Sequence, residues 1–156
     1  MEHRVFMELA LAEAKKSLKT ADVPIGAVIV DDNKVIAKAH NEVEKRKDPT
    51  AHAELLAIKK AIRKKGSKFL DKCVLYTTIE PCSMCAGAMV LARVSTVVFG
   101  ARDLKAGAGG SVLNILCNPA LNHRVEIIEG ILEEECSHLV KEFFKQLREE
   151  SGGKGK

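Results

Sequence analysis

A chain of 156 residues fits one domain, large enough to bury roughly 68–70% of the surface its unfolded form exposes. Apolar content of 46% and charged content of 29% describe an ordinary globular protein, and no stretch approaches the ~18 apolar residues of a transmembrane helix. The net charge of +4 is compatible with a polyanionic partner but far short of requiring one.

Met1-Glu2-His3-Arg4 leads into an amphipathic pattern and not into the apolar core of a signal peptide. Residues 2–19 read as a helix with Val5, Leu9 and Ala12 on one face and Phe6, Ala10 and Leu18 beside it. Asp22-Val23-Pro24 breaks the pattern. Ile25 to Val30 and Lys34 to His40 read as two strands joined by the Asp31-Asp32-Asn33 turn. Lys45-Arg46-Lys47-Asp48-Pro49 is a polar loop, with Lys45 to Lys47 as candidates for phosphate contact. Asp48 or Thr50 is placed to cap a helix that runs to about Lys65, with Leu55, Leu56, Ile58 and Ile62 as its apolar face. Cys73 to Thr78 is a buried-type strand, Cys82 to Ala92 a helix of small residues, and Thr96 to Phe99 a further strand. A glycine-rich loop follows from Gly100 to Ser111. Val112 to Cys117 reads as one or two helical turns and Val125 to Ile128 as a last strand. Residues 132–149 form a closing helix with Leu132, Cys136, Leu139, Val140, Phe143 and Leu147 inward, and three glutamates in the first turn suit the helix dipole. The domain is expected to span residues 1–150, with 151–156 a disordered tail. A hairpin followed by β-α-β units predicts an α/β fold, a mixed sheet of about five strands with helices on both faces.

The chemistry concentrates in 34 residues. His52-Ala53-Glu54 is followed, after 26 residues, by Pro81-Cys82-Ser83-Met84-Cys85. One imidazole and two thiols make three ligands of the kind Zn²⁺ prefers, and three rather than four leave a position open, the mark of a catalytic site. Cys82 and Cys85 share a helix face at spacing i, i+3. A helix N-terminus stabilises thiolates. Pro81 suits a helix start because its missing N–H needs no partner there. Residues two apart point differently, so His52 is free to hold metal while Glu54 leans over the open position as a proton shuttle. Five cysteines, an odd number with two at metal spacing, point to a reducing cytoplasm and away from a disulfide framework. Cys73, Cys117 and Cys136 lie on apolar runs and read as small core residues; His3 and His138 read as solvent-exposed.

The joint pattern H-x-E…P-C-x-x-C is the signature of the zinc nucleobase deaminases. Beyond it, Asp48–Glu54, Glu80–Met89, Val98–Asp103, Asn122–Ile127 and Phe143-Phe144 resemble the bacterial tRNA-specific adenosine deaminases, and the likeness runs to about Arg148. The resemblance implies a three-layer α/β/α cytidine-deaminase-like fold and a homodimer with active sites near the subunit interface. It implies conversion of the wobble adenosine of an arginine tRNA anticodon stem-loop to inosine. His52, Cys82 and Cys85 would bind one Zn²⁺ per chain, with Glu54 catalytic. Asn41 and the Ala53 backbone would meet the flipped base, Ile25 would line its pocket, and Asp103, Lys105, Asn122, His123 and Arg124 would meet neighbouring nucleotides. An aromatic residue often precedes the Asn41 position in this family; here it is His40. Two rival readings stand beside this one: a free nucleobase or nucleoside deaminase acting on guanine or cytosine, and a non-catalytic zinc-stabilised RNA-binding module.

Overall fold

The computed structural model describes residues 2–154. Helix α1 (His3–Lys16) runs on into a 3₁₀ turn (Ser17–Thr20). Strands β1 (Gly26–Asp31) and β2 (Lys34–His40) form the hairpin. A four-residue helix α2 (Val43–Arg46) precedes α3 (Ala53–Lys65). Then come β3 (Cys73–Ile79), α4 (Ser83–Leu91), β4 (Thr96–Ala101), β5 (Glu126–Glu129) and α5 (Glu133–Lys154). The sheet order is β2-β1-β3-β4-β5. β1 is antiparallel to both β2 and β3, while β3, β4 and β5 run parallel. This is the mixed five-stranded sheet that the sequence predicts.

Each face of the sheet carries its own core. Ala27, Ile29, Leu75, Val97 and Phe99 face α3 and α4, meeting Leu56, Ala57, Cys85 and Met89. Val28, Val30, Val74, Tyr76 and Val98 face the other way, toward Met7 and Ala10 of α1 and Cys136 and Val140 of α5. Helices on both sides explain why β3 and β4 are buried along their whole length and read as continuous apolar runs.

Several details depart from the sequence reading. α1 turns Met7, Ala10 and Ala14 inward, while Val5 is 48% exposed, Leu18 45% exposed and Ala12 lies on the outside. The reason is backbone proximity. A Cβ built on Gly26 would lie 2.0 Å from the Ala10 carbonyl oxygen and 2.6 Å from the Ala14 nitrogen. Only small residues allow α1 to lie that close to β1, so Ala10 and Ala14 stand at the closest approach, with Met7 packed beside them. His3 is half-buried, its Nδ1 2.8 Å from the Tyr76 hydroxyl. The expected helical turns at 112–117 do not form. That stretch instead folds back on the glycine loop, with an antiparallel bridge between Gly109 and Asn114 and a hydrogen bond from Ile115 N to Ala108 O. Its backbone groups pair with the glycine loop in place of a helical ladder. α2 begins at Val43 and takes in Lys45 and Arg46, the first two residues of the expected polar loop. α5 continues past 149 to Lys154, through four residues expected to be disordered; Gly155 and Lys156 lie outside the described residues. Its inner positions hold as far as Phe143, but Leu147 is 44% exposed. Among the described residues, no helix is long and apolar enough to cross a membrane.

Candidate active site

Both halves of the ligand motif sit at helix starts. His52 is the N-cap residue of α3 and Cys82 that of α4, each in extended backbone. Glu54 and Cys85 lie in the first turns, as expected. β3 delivers Pro81-Cys82 at its carboxyl end, and the end of β2 brings Asn41 alongside α3. Neither N-cap side chain caps its own helix. The Ala53 N–H at the start of α3 is instead donated to Asn41 Oδ1, at 2.7 Å. The expected caps are spent locally: Asp48 Oδ1 accepts from the Thr50 N–H and hydroxyl, at 2.8 and 2.7 Å.

The donors converge. His52 Nδ1 lies 3.5 Å from Cys82 Sγ and 3.7 Å from Cys85 Sγ, and all three ligand atoms lie within 4.8 Å of one another. Tetrahedral zinc with Zn–S near 2.3 Å and Zn–N near 2.0–2.1 Å requires N···S edges of about 3.6 Å, so the donor set has the right size. The electrostatics agree. Cys82 is driven down to about 3, first by the hydrogen bond from Cys85 and also by the His52 ring, against the cost of burial. Cys85 is pushed well above the ordinary thiol range, first by its bond to Cys82 and then by burial. His52 is raised, chiefly by its bond to Cys82. The pair so placed favours one thiolate; a divalent cation among the three donors favours two. Glu54 is buried, and burial pushes its carboxyl up to about 7, against the pull of its own backbone N–H and of the His52 ring.

Two open grooves meet at the mouth. One, of about 580 Å³, reaches His52 and Asn41 and is walled by Val23, Phe143 and Phe144. The other, of about 570 Å³, passes Ile25, Asp103, Lys105 and Arg148. Val23 and Phe144 border both, so the grooves form a continuous path. Asn41 is buried and its oxygen is committed to Ala53, which leaves its NH₂ end for a ligand. The Ala53 N–H is likewise committed. Asp103 Oδ1 is used within its own loop, accepting from the Lys105 and Ala106 N–H groups. Lys45 and Arg46 pair with Glu42 at 3.0 and 2.9 Å; Lys47, which borders the groove, stands 4.0 Å from Glu44 on the same wall.

Asn122, His123 and Arg124 are not brought to this site. His123 Nε2 donates to the Val94 carbonyl, at 2.7 Å, at the amino end of β4. The ligand cluster lies at the other end, beside Ile79 and its partner Ala101. Six strand residues at about 3.3 Å each put roughly 20 Å between them.

Three contributors escaped the sequence reading. Glu80 organises the loop beyond β4. Asp22 ties residues 20–22 to α2, accepting from the Glu44 N–H at 2.6 Å and the Thr20 hydroxyl at 2.6 Å. Arg148 turns out to border a groove. Only their position hinted at them: Glu80 adjoins Pro81-Cys82, and Arg148 stands on the same helix as Phe143-Phe144.

Residues 1–148 match the family model for MafB19-like deaminases. The fold and the three-donor site therefore belong to a deaminase. A tRNA-specific adenosine deaminase from Aquifex aeolicus is 52% identical over 148 residues, 95% of this chain and 97% of the relative. The chain belongs to the tRNA-specific adenosine deaminases. A solved structure from a study of A-to-I editing by tRNA:A34 deaminases at the wobble position of transfer RNA superposes with a TM-score of 0.83 at 40% identity, covering 86% of this chain and 98% of the other. Guanine deaminase from Bacillus subtilis superposes with a TM-score of 0.63 at 34% identity, covering 96% and 95%.

Asn41→Ala leaves the Ala53 N–H buried without its acceptor. The expected loss is about 1–3 kcal/mol, read as a lower midpoint in urea unfolding. An unchanged midpoint removes Asn41 as the cap of α3.

Proposed function

We propose that the chain deaminates adenosine to inosine at the wobble position of a tRNA anticodon, with the arginine tRNA as substrate, in the cytoplasm. Zn²⁺ is the proposed cation, one per chain, held by His52, Cys82 and Cys85, a set of soft thiolates and imidazole with one position left open. When bound, it supplies the Lewis acidity that lowers the pKa of water at that position from about 15.7 to roughly 7. Glu54 takes a proton from the attacking water, passes it to N1 of the adenine ring, and protonates the leaving amine. A C6–O bond forms, the C6–N bond breaks, and ammonia leaves. Asn41 offers its NH₂ end to the base, and Ile25 gives the pocket an apolar wall.

The continuous double groove carries the polynucleotide reading. A free base needs one closed pocket, whereas RNA is read as splayed single-stranded nucleotides stacked on aromatic rings. Phe144 is 39% exposed where the two grooves join. Lys47, Lys105 and Arg148 border the path and suit phosphates.

A homodimer is part of the proposal. α4 has no charged residue, yet Met84, Gly87, Ala88 and Leu91 follow one another along a face that is not buried, with Leu91 79% exposed. Such a stripe calls for a partner. Asn122 to Arg124 lie at the wrong end for their own site, and reach a substrate only in a second copy.

Cys85→Ala is expected to lose zinc and fold stability together, because metal binding is coupled to folding. Glu54→Gln should keep one zinc and lose about 10²–10⁴-fold in turnover. Full zinc in the first variant, or near wild-type turnover in the second, contradicts the assigned roles. In a substrate panel, the anticodon stem-loop of arginine tRNA should yield inosine while free adenosine, guanine and cytosine do not. Its binding should weaken with salt by a log–log slope of about −0.7 per phosphate contact. Comparable, salt-insensitive release of ammonia from free guanine or cytosine would move the assignment to the free-base deaminases. Light scattering should find the wild type dimeric and Leu91→Glu monomeric; a dimer in both removes α4 from the interface.

A further inference from the structure

Glu80 is 3% exposed and stands between β3 and the Pro81-Cys82 turn. Its carboxylate accepts four hydrogen bonds, all from one loop. Oε1 takes the Asp103 N–H at 3.0 Å and the Ser111 hydroxyl. Oε2 takes the Gly109 N–H at 2.9 Å and the Ser111 N–H at 3.1 Å. Residues 103 and 111, eight apart in sequence, are thereby tied to one side chain. Two backbone bonds reinforce the same junction: Glu80 N donates to Ala101 O and Ala108 N to Pro81 O, both at 2.8 Å. The loop wraps the carboxylate closely. A Cβ on Gly107 would fall 2.4 Å from Glu80 Cδ and 2.5 Å from the Asp103 carbonyl oxygen, so glycine is required there by contact. The far side of this loop, Asp103-Leu104-Lys105, forms one wall of the second groove.

We propose that Glu80 is the positioning residue of this loop: its buried carboxylate latches residues 103–111 to the turn that carries Cys82, and so holds the RNA-binding wall in register with the ligand cluster. The proposal rests on the stem-loop reading for its substrate and on the hydrogen bonds alone for the latch. A carboxylate is needed because four donors converge on two oxygens. An amide would present N–H groups to two of those donors, and the loop would come away. Glu80 touches neither the reacting base nor the ligand atoms, so it acts on binding and leaves the chemical step intact.

The test uses the full zinc-loaded chain and three variants, Glu80→Gln, Glu80→Asp and Ser111→Ala. For Glu80→Gln the expected result is one zinc per chain, with KM for the stem-loop raised on the order of 10-fold and kcat changed less than about threefold. Amide exchange at Gly109 and Ser111 should speed up by a factor on the order of 10 or more, as a local opening would. Glu80→Asp, which keeps the carboxylate on a shorter arm, should restore part of both. Ser111→Ala removes one donor of four and should shift KM the same way by about two- to fivefold. It also carries the test should Glu80→Gln not fold. Unchanged KM and exchange in either variant would overturn the latch, as would a loss confined to kcat or a loss of zinc in Glu80→Gln. Amide exchange needs no substrate. Fast exchange in Glu80→Gln beside a wild type that ignores the stem-loop would therefore uphold the latch and overturn the RNA role assigned to it.

Discussion

Two helix N-termini meet at one point, and much of the structure serves to keep them there. His52 and Cys82 come from segments 30 residues apart, yet their ligand atoms stand 3.5 Å from each other. Extended N-cap backbone lets each side chain leave its helix sideways, toward the other. The positive ends of both helix dipoles then face the same small volume, which suits thiolates. The parallel β3–β4 pair fixes one of these ends, and the β2 edge, through Asn41, fixes the other. Misplacing either would cost more than a hydrogen bond, since three donors fit one metal only within a few tenths of an ångström.

The interior that supports this arrangement is built largely from small residues. Ala10, Ala14, Ala27, Ala53, Ala57, Ala61 and Ala86 are all fully buried. Alanine brings helix and sheet backbones close, as at Gly26, and gains less from burial per residue than leucine. The larger apolar side chains concentrate at the sheet centre, in Ile29, Leu75, Tyr76 and Phe99. Some apolar side chains also lie outside the core. Phe144 and Leu147 border the groove at the site, and Leu91 lies on the charge-free stripe of α4.

Polar groups in the interior are matched in the same deliberate way. Asp22, Asn41 and Glu80 are each buried and each accept from backbone N–H groups belonging to another segment. They hold two helix starts and one loop whose N–H groups have no ladder partner of their own. Among the described residues no buried side-chain nitrogen or oxygen lacks a partner. The mouth of the site is therefore made of α5 on one side and of loops held from beneath on the other.

The sequence by itself determined the strands, the principal helices and the donor spacing that brings His52, Cys82 and Cys85 together. These are local patterns: alternation or apolar runs for strands, 3.6-residue periodicity for helices, and donors at fixed spacing beside helix starts. Asp48-Pro49 and Glu80-Pro81 announce the turns that precede both halves of the motif. The tertiary structure decided the rest. It chose Met7, Ala10 and Ala14 over Val5 and Ala12 for the inner face of α1, because a glycine 16 residues beyond Ala10 allows the backbones to touch. It left 112–117 without helix, since that short run is held by the glycine loop beside it. It placed Asn122 to Arg124 at the far end of β4 and made Asn41, not Asp48, the cap of α3. It gave Glu80 its four hydrogen bonds, from three residues 23 to 31 positions away. Each of these rests on contacts between segments distant in sequence, and periodicity within one segment carries no information about its neighbours in space.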